Sequence, residues 1–292
     1  MLIGHQVLPN LEELRLSKNK DIAKIWQGPF PDHLLNKLEV LAIENDESEV
    51  LSPDLLERFH NLVNLQLERS SYKELFSKEG QVEKHDGKLA QIKRLKLMEL
   101  NDLKHLWLWE QNSKLNTVFQ NLEILSVFSC LNLTNLMPSS ASFRCLKELR
   151  VCACEHLMNL VASSAAKNLV QLVRMTVREC NKITELVVAS EGDAANDEII
   201  FPKLEYLNLH RLQSLTTFCS ANYTFKFLSL WRLSVSACPK MKIFCGGVLS
   251  TPRLKQVGLN GQNCWDGDLN TTILFWLFYR LFGKMGMLRI VN

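Results

Sequence analysis

The hydrophobic positions of this chain recur as one twelve-residue pattern. An apolar residue opens the pattern, leucine or a similar residue follows three, six and eight positions later, and asparagine or cysteine closes it. Five segments fit every fixed position: Leu8–Asn19, Phe119–Cys130, Phe143–Cys154, Leu169–Cys180 and Phe227–Cys238. Since alternate residues of a strand point to opposite faces, each Leu-x-Leu core predicts a short strand with one buried face.

Five looser copies start at Leu35, Phe59, Leu89, Phe201 and Thr251. The fourth residue of each copy is a leucine or isoleucine, and from one copy to the next these residues are 24 to 32 positions apart. Most of these spacings are typical of leucine-rich repeats. The fixed positions are Leu11, Leu38, Leu62, Ile92, Leu122, Leu146, Leu172, Leu204, Leu230 and Leu254.

One such strand buries little apolar surface, so the copies are expected to stack and share a core. We therefore predict an α/β leucine-rich-repeat solenoid, with a curved parallel sheet on the concave face and short helices or irregular segments on the convex face. About ten repeats are expected in residues 1–270, followed by a divergent apolar tail at 271–292. The tail contains Ile273–Phe282, in which Arg280 is the only charged residue.

A helix of ten residues spans about 15 Å, against about 30 Å for the hydrocarbon core of a membrane. The tail therefore does not predict a membrane span. We interpret it as a cap on the last coil, with attachment to a membrane surface or docking of a partner as the alternatives.

Irregular segments carry a family resemblance beyond the spaced leucines. The stretch ITELVVASEGDAANDEIIFPKLEYLNLHRLQSLTTFCSANYTFKF, and after it CPKMKIFCGGVLSTPRL and WDGDLNTTI, closely resemble the C-terminal repeats of plant coiled-coil nucleotide-binding leucine-rich-repeat (NLR) disease resistance proteins. The resemblance covers roughly residues 8–273. It implies an intracellular immune receptor region that senses pathogen effectors, or their effects on host proteins, and restrains a nucleotide-binding switch.

The nucleotide-binding part of that family is not encoded here. Neither Gly87-Lys88 nor Gly283-Lys284 has the upstream glycine and following Ser or Thr of a P-loop. The first copy starts at Leu8, which leaves almost nothing for the polar cap that terminal repeats need. We therefore expect either the C-terminal portion of a larger receptor or a truncated relative that docks onto another protein.

Composition favours a reducing compartment and gives no sign of catalysis. The nine cysteines are an odd number, and Cys130, Cys154, Cys180 and Cys238 share the closing position, where a thiol can donate to a backbone carbonyl. No metal-hydrolase or nucleophile-elbow motif occurs among the histidines and serines. We predict a protein that is not an enzyme and has no cofactor or metal. The carboxylate runs Asp46–Glu49 and Glu191–Glu198 are expected in solvated loops between copies.

The outward positions of the predicted strands carry the candidate binding residues. Copies one to three place three acids and one base there, whereas copies four to nine place six bases and one acid, Glu148. Such a basic stripe attracts an acidic partner; the alternative is a merely solvated face. The candidate partner-binding residues on the concave face are Arg94, Lys96, Arg150, Arg174, Arg178, Arg232, Tyr206 and His210.

These observations predict a non-catalytic, cytoplasmic protein-recognition module. The expected partners are a pathogen effector or guarded host protein, and the nucleotide-binding domain of the same or another chain. The alternative is a leucine-rich-repeat substrate-recognition subunit of a ubiquitin ligase. The net charge is only +3, which argues against nucleic acid as a partner.

Overall fold

A computed structural model describes residues 10–18, 35–52, 54–75, 91–106, 119–137, 143–190, 193, 197–265 and 267–282. Side chains are described in these ranges except at 54, 57 and 277–282. Leu8 and Asn19 of the first copy, Leu89 of the fourth and the tail beyond 282 lie outside the described residues.

The described residues form eighteen strands and three helices. The strands are β1 (Glu13–Ser17), β2 (Val40–Glu44), β3 (Val50–Leu51), β4 (Asn64–Glu68), β5 (Glu74–Leu75), β6 (Arg94–Met98), β7 (Ile124–Phe128), β8 (Glu148–Cys152), β9 (Val161–Ala162), β10 (Arg174–Arg178), β11 (Val187–Val188), β12 (Glu198–Phe201), β13 (Tyr206–His210), β14 (Thr224–Phe227), β15 (Arg232–Ser236), β16 (Leu249–Ser250), β17 (Gln256–Leu259) and β18 (Gln262–Asn263). The helices are α1 (Asp54–Arg58), α2 (Ser163–Ala166) and α3 (Leu269–Phe282).

One long sheet organises the chain. Its order within the described residues is β1-β2-β4-β6-β7-β8-β10-β13-β15-β17-β18, and all neighbours are parallel except the final pair. Each of its ten parallel strands begins two residues after the fixed leucine or isoleucine of one copy, as Arg174 follows Leu172. The fold prediction, a leucine-rich-repeat solenoid, is confirmed. The division of the chain at residue 270 stays a prediction.

The residue that follows each of these ten strands has a left-handed backbone. Its φ lies between 47° and 56° and none of the ten is glycine: Lys18, Asn45, Arg69, Glu99, Ser129, Ala153, Glu179, Arg211, Ala237 and Asn260. In most coils its N–H bonds to the last residue of the next strand, as Ala153 N does to the Arg178 carbonyl at 2.9 Å. This turn leads the chain out of the sheet and links neighbouring coils.

The closing cysteines complete the same turn. Cys130, Cys154, Cys180 and Cys238 are buried and free of disulfides. Each Sγ lies 3.3 to 3.6 Å from the carbonyl oxygen two residues earlier in the chain. The predicted structural role of these thiols is confirmed, and burial raises the pKa of the Cys130 thiol to about 12.

The return legs contain short parallel strands as well as helices. These strands form three small sheets, β3–β5, β9–β11 and β12-β14-β16. Phenylalanines fill the core between the last sheet and the long one. Phe218 contacts four other rings, with centroid distances of 5.0 Å to Phe244, 5.5 Å to Phe225, 5.6 Å to Phe227 and 6.3 Å to Phe201. These rings join three consecutive return segments into one apolar cluster.

The C-terminal end of the sheet is covered by β18 and α3. Leu269 and Ile273 of α3 are buried in the core, and the Asn270 amide oxygen accepts from the N–H groups of Phe244 and Cys245. The carboxylate of Asp268 accepts from Thr271 N at 2.7 Å and caps the helix. The start of α3 thus packs against the last coil, and the role of the tail at 271–292 stays a prediction.

The expectation of solvated carboxylates is wrong at two positions. Asp46 is buried and accepts from the Tyr72 hydroxyl at 2.5 Å and from Ser48. Asp193 accepts from the hydroxyls of Ser163 and Tyr223 and from the ammonium of Lys167. All of these donors except Ser48 come from neighbouring coils, so their proximity depends on the stacking and is invisible in the local sequence.

Candidate partner-binding face

A groove with a volume of about 680 Å³ opens on the outer face of the long sheet. It is centred on β8, β10, β13 and β15. The first and third residues of all four strands line it, and so do the fifth residues of β8 and β10. Five of the eight predicted binding residues line it: Arg150, Arg174, Arg178, Tyr206 and Arg232. The structure thus brings together the later part of the predicted stripe.

The other three predicted residues lie apart from this groove. Arg94 and Lys96 are on β6, which β7 separates from β8. His210 pairs with Arg178 across β10 and β13 but does not line the groove, and its Nδ1 lies 2.6 Å from the Ser236 hydroxyl. Burial lowers the pKa of His210, and the nearby charges of Arg178 and Arg211 lower it further.

Ion pairs neutralise much of the charge that the sequence places on this face. In the early coils Arg15 pairs with Glu13 at 2.7 Å and Lys96 pairs with Glu68 at 2.6 Å. In the groove Glu148 accepts from Nε and Nη2 of Arg150 at 2.8 and 2.6 Å. The sequence count of six bases therefore overstates the free positive charge, since Lys96 and Arg150 are already neutralised.

Three arginines of the groove keep their charge available. Among the described residues, no carboxylate forms an ion pair with Arg174, Arg178 or Arg232, and all three are exposed. The guanidinium of Arg174 lies over the Tyr206 ring, 5.2 Å from its centroid. The edge of that ring packs against Trp231, with centroids 4.8 Å apart. This stacking holds Arg174 in place, because a cation over an aromatic face is attracted to it.

Sequence reasoning missed the floor of the groove and the aromatic contact that supports Tyr206. Thr176, Asn208 and Ser234 form one row across β10, β13 and β15, and they line the groove. The repeat pattern already assigns these three to the outer face, so their position was available from the sequence. The pattern does not reveal the contact of Trp231 with Tyr206, because Trp231 precedes its strand.

The described residues contain no helix long and apolar enough to cross a membrane. Within the same ranges, no group of three or more His, Cys, Asp or Glu side chains is arranged to hold a metal ion.

The stacked parallel strands, the repeated left-handed turns and the concave groove define a leucine-rich-repeat protein. A family profile described as "Plant disease resistance protein RPS2-like, leucine-rich repeats" matches residues 10–142 and 139–248. The chain belongs to this family, and the resemblance drawn from the sequence is confirmed.

Other comparisons add little to the family assignment. A search of curated proteins found no match. Among solved structures, the chain is similar to a leucine-rich-repeat protein of Leptospira interrogans, with 18% sequence identity and a TM-score of 0.40. The alignment covers 86% of this chain and 79% of the other. At this level of similarity the bacterial protein gives no information about function.

Proposed function

We propose that this chain is the non-catalytic sensor and autoinhibitory region of a cytoplasmic plant immune receptor. Its family consists of leucine-rich repeats of disease resistance proteins. The observation that carries the proposal is the concave groove with three unpaired arginines, within the described residues, on a rigid sheet. Such a surface suits reversible recognition of a protein with an acidic patch.

Two kinds of partner fit this role. A pathogen effector or a guarded host protein would contact the groove on β8, β10, β13 and β15. The nucleotide-binding domain of the same or another chain would contact a second part of the solenoid and be restrained by it. Arginine guanidinium groups favour carboxylate partners because they donate two parallel hydrogen bonds in one plane.

Charge reversal tests the proposal. The double variant Arg174→Glu and Arg178→Glu is expected to lose at least tenfold in association with partners at low salt, since each change replaces an attractive charge by a repulsive one. Affinity capture from infected and healthy leaf tissue, followed by mass spectrometry, identifies the bound proteins. Their binding to purified wild-type and variant chains is then measured directly.

The control is Arg144→Glu, a single charge reversal before β8 and outside the groove. Both variants are expected to melt within a few degrees of the wild type, because all three side chains are exposed. Unchanged binding by the double variant would refute the proposal. Capture of a ubiquitin-ligase adaptor, in place of resistance proteins or effectors, would favour the alternative function.

A further inference from the structure

The groove differs from the rest of the concave face in how its charges are satisfied. Glu13, Glu44 and Glu68 of the early coils each have an arginine or lysine partner within 3 Å. The groove has the opposite imbalance, with three arginines that lack a carboxylate partner among the described residues. Positive charge therefore remains available in one place, which indicates an anionic ligand.

The arginines stand at a defined spacing. Arg174, Tyr206 and Arg232 occupy the same register position on β10, β13 and β15. Neighbouring strands are about 4.8 Å apart, so the backbones of Arg174 and Arg232 lie about 10 Å apart, and the Arg174 guanidinium extends over the Tyr206 ring between them. A polyproline II segment advances about 9.3 Å in three residues and presents residues i and i+3 on the same side. The spacing between the backbones of Arg174 and Arg232 therefore matches that between residues i and i+3 of a polyproline II segment.

The floor of the groove supplies hydrogen-bonding groups for a peptide backbone. Thr176, Asn208 and Ser234 lie one strand apart in a single row, two positions along each strand from the arginine row. No hydrogen bond joins these three side chains to another group in the part of the chain that the structure describes. A polyproline II backbone has no internal hydrogen bonds, so its carbonyl and N–H groups are free to pair with this floor.

The aromatic ring of Tyr206 completes the match. Tyr206 lines the groove and is supported by Trp231, and aromatic rings in such grooves form the docking surface for proline in extended ligands. We propose that the groove binds an acidic polyproline II segment of a partner protein, with two carboxylates three residues apart on Arg174 and Arg232. Intervening prolines lie beside Tyr206, and Arg178 contacts a flanking acid. This inference rests on the proposed function, of which it specifies the ligand.

A labelled peptide that contains Glu-Pro-Pro-Glu between Gly-Ser spacers tests the proposal by fluorescence anisotropy with the full chain. We expect saturable binding that is abolished at about 1 M salt, where screening acts within about 3 Å. A Gln-Pro-Pro-Gln peptide is expected not to bind. A Glu-Glu-Pro-Pro peptide keeps the composition but moves the acids together, and is expected to bind about tenfold more weakly.

Protein variants locate the site. Arg174→Gln and Arg232→Gln are each expected to weaken binding about tenfold, because each removes a charge-assisted pair. Arg144→Gln outside the groove is expected to leave affinity unchanged. Glu148→Gln releases Arg150 from its ion pair and is expected to tighten binding about threefold. A gain of affinity on removal of an acid distinguishes groove binding from a general effect of folding.

His210 provides an independent readout. Its pKa is depressed partly by the charge of Arg178, so an acid held by Arg178 is expected to raise it in an NMR titration. An unchanged pKa of His210 at saturating peptide would contradict the predicted contact with Arg178.

The outcome is separable from that of the proposed function. If the Glu-Pro-Pro-Glu peptide fails to bind while Arg174→Glu and Arg178→Glu still abolish partner association, the peptide inference is overturned and the recognition function stands. Equal binding of the two glutamate peptides overturns the three-residue spacing. Binding of a single-stranded oligonucleotide as tightly as the peptide would overturn the assignment of a protein ligand.

Discussion

The left-handed residue after each strand is the most regular unit of this molecule. Asparagine occupies it twice, and lysine, arginine, glutamate, serine and alanine occupy the other eight positions. L-residues with a side chain are destabilised in this conformation by about 1–2 kcal/mol. In most coils this cost is offset because the N–H of the residue bonds to a carbonyl of the next strand. The local sequence does not reveal this backbone, since glycine and asparagine are its usual markers.

Replacement of Ala153 by glycine is expected to stabilise the protein. Ala153 has a φ of 55°, and glycine adopts that conformation without steric cost. Part of the gain is offset by the greater freedom of glycine in the unfolded chain. We expect the free energy of unfolding to rise by about 0.5–1 kcal/mol, measured by urea denaturation.

The control is Ala165→Gly within α2, where the backbone is helical and the residue is buried. This change is expected to lower the free energy of unfolding, because glycine is unfavourable in a helix. A lower stability for Ala153→Gly would contradict the argument from the left-handed turn.

Among the elements, the segment around Asp193 shows how side chains bind one coil to another. Asp193 accepts from Ser163 and Tyr223, and Lys167 also reaches Asp197 at 2.8 Å. These donors hold the pKa of Asp193 well below its ordinary value of 3.8, the Ser163 hydroxyl most strongly and then that of Tyr223. The negative charge is therefore part of the folded structure.

The depressed pKa of Asp193 predicts that the stability of the protein falls at low pH. A carboxyl whose folded pKa is depressed stabilises the fold above its unfolded pKa, and that stability is lost as the pH falls through the folded pKa. We expect Asp193→Asn to be less stable than the wild type at neutral pH, and its stability to fall less between pH 4 and about pH 2. Thermal melting across that range measures both effects.

Asp197→Asn is the matched comparison, because Asp197 contacts Lys167 but not the buried hydroxyls. Its acid profile is expected to stay close to that of the wild type. If the two variants gave the same profile, the hydroxyl contacts of Asp193 would not be the source of the effect.

At the scale of the whole molecule, the sequence predicted the long sheet strand by strand. The fixed leucines mark each copy, and the alternation after them assigns the buried and outward residues. The charge balance of the concave face could not be predicted in the same way. Lys96 pairs with Glu68 across 28 residues, and such a pair requires the coil length and register that only the stacked structure provides. The same is true of Trp231 and Tyr206.

The phenylalanine cluster predicts cooperative loss of the C-terminal coils. Phe218 is fully buried among rings of its own return segment and of the two adjacent ones. We expect Phe218→Ala to cost about 3–5 kcal/mol through lost apolar burial and the cavity left behind. Thermal denaturation measures the loss, and amide exchange is expected to rise in β13 and β15 more than in β2 and β4.

Phe275→Ala is the control, since that ring on α3 is 54% exposed. Its effect is expected to stay within about 0.5 kcal/mol. Equal exchange in the early and late strands of Phe218→Ala would show that the solenoid unfolds as one unit.

Each parallel strand of the long sheet begins two residues after the fixed leucine or isoleucine of its copy, and this constant spacing affects how the gene can evolve. Coils of 24 and 32 residues enter the sheet in the same phase, because the extra residues lie between strands. Unequal crossing-over between two copies would therefore yield a longer or shorter array that still folds. The outward residues of the exchanged copies would be reassorted beside new neighbours, and a novel specificity could arise in a single genetic event.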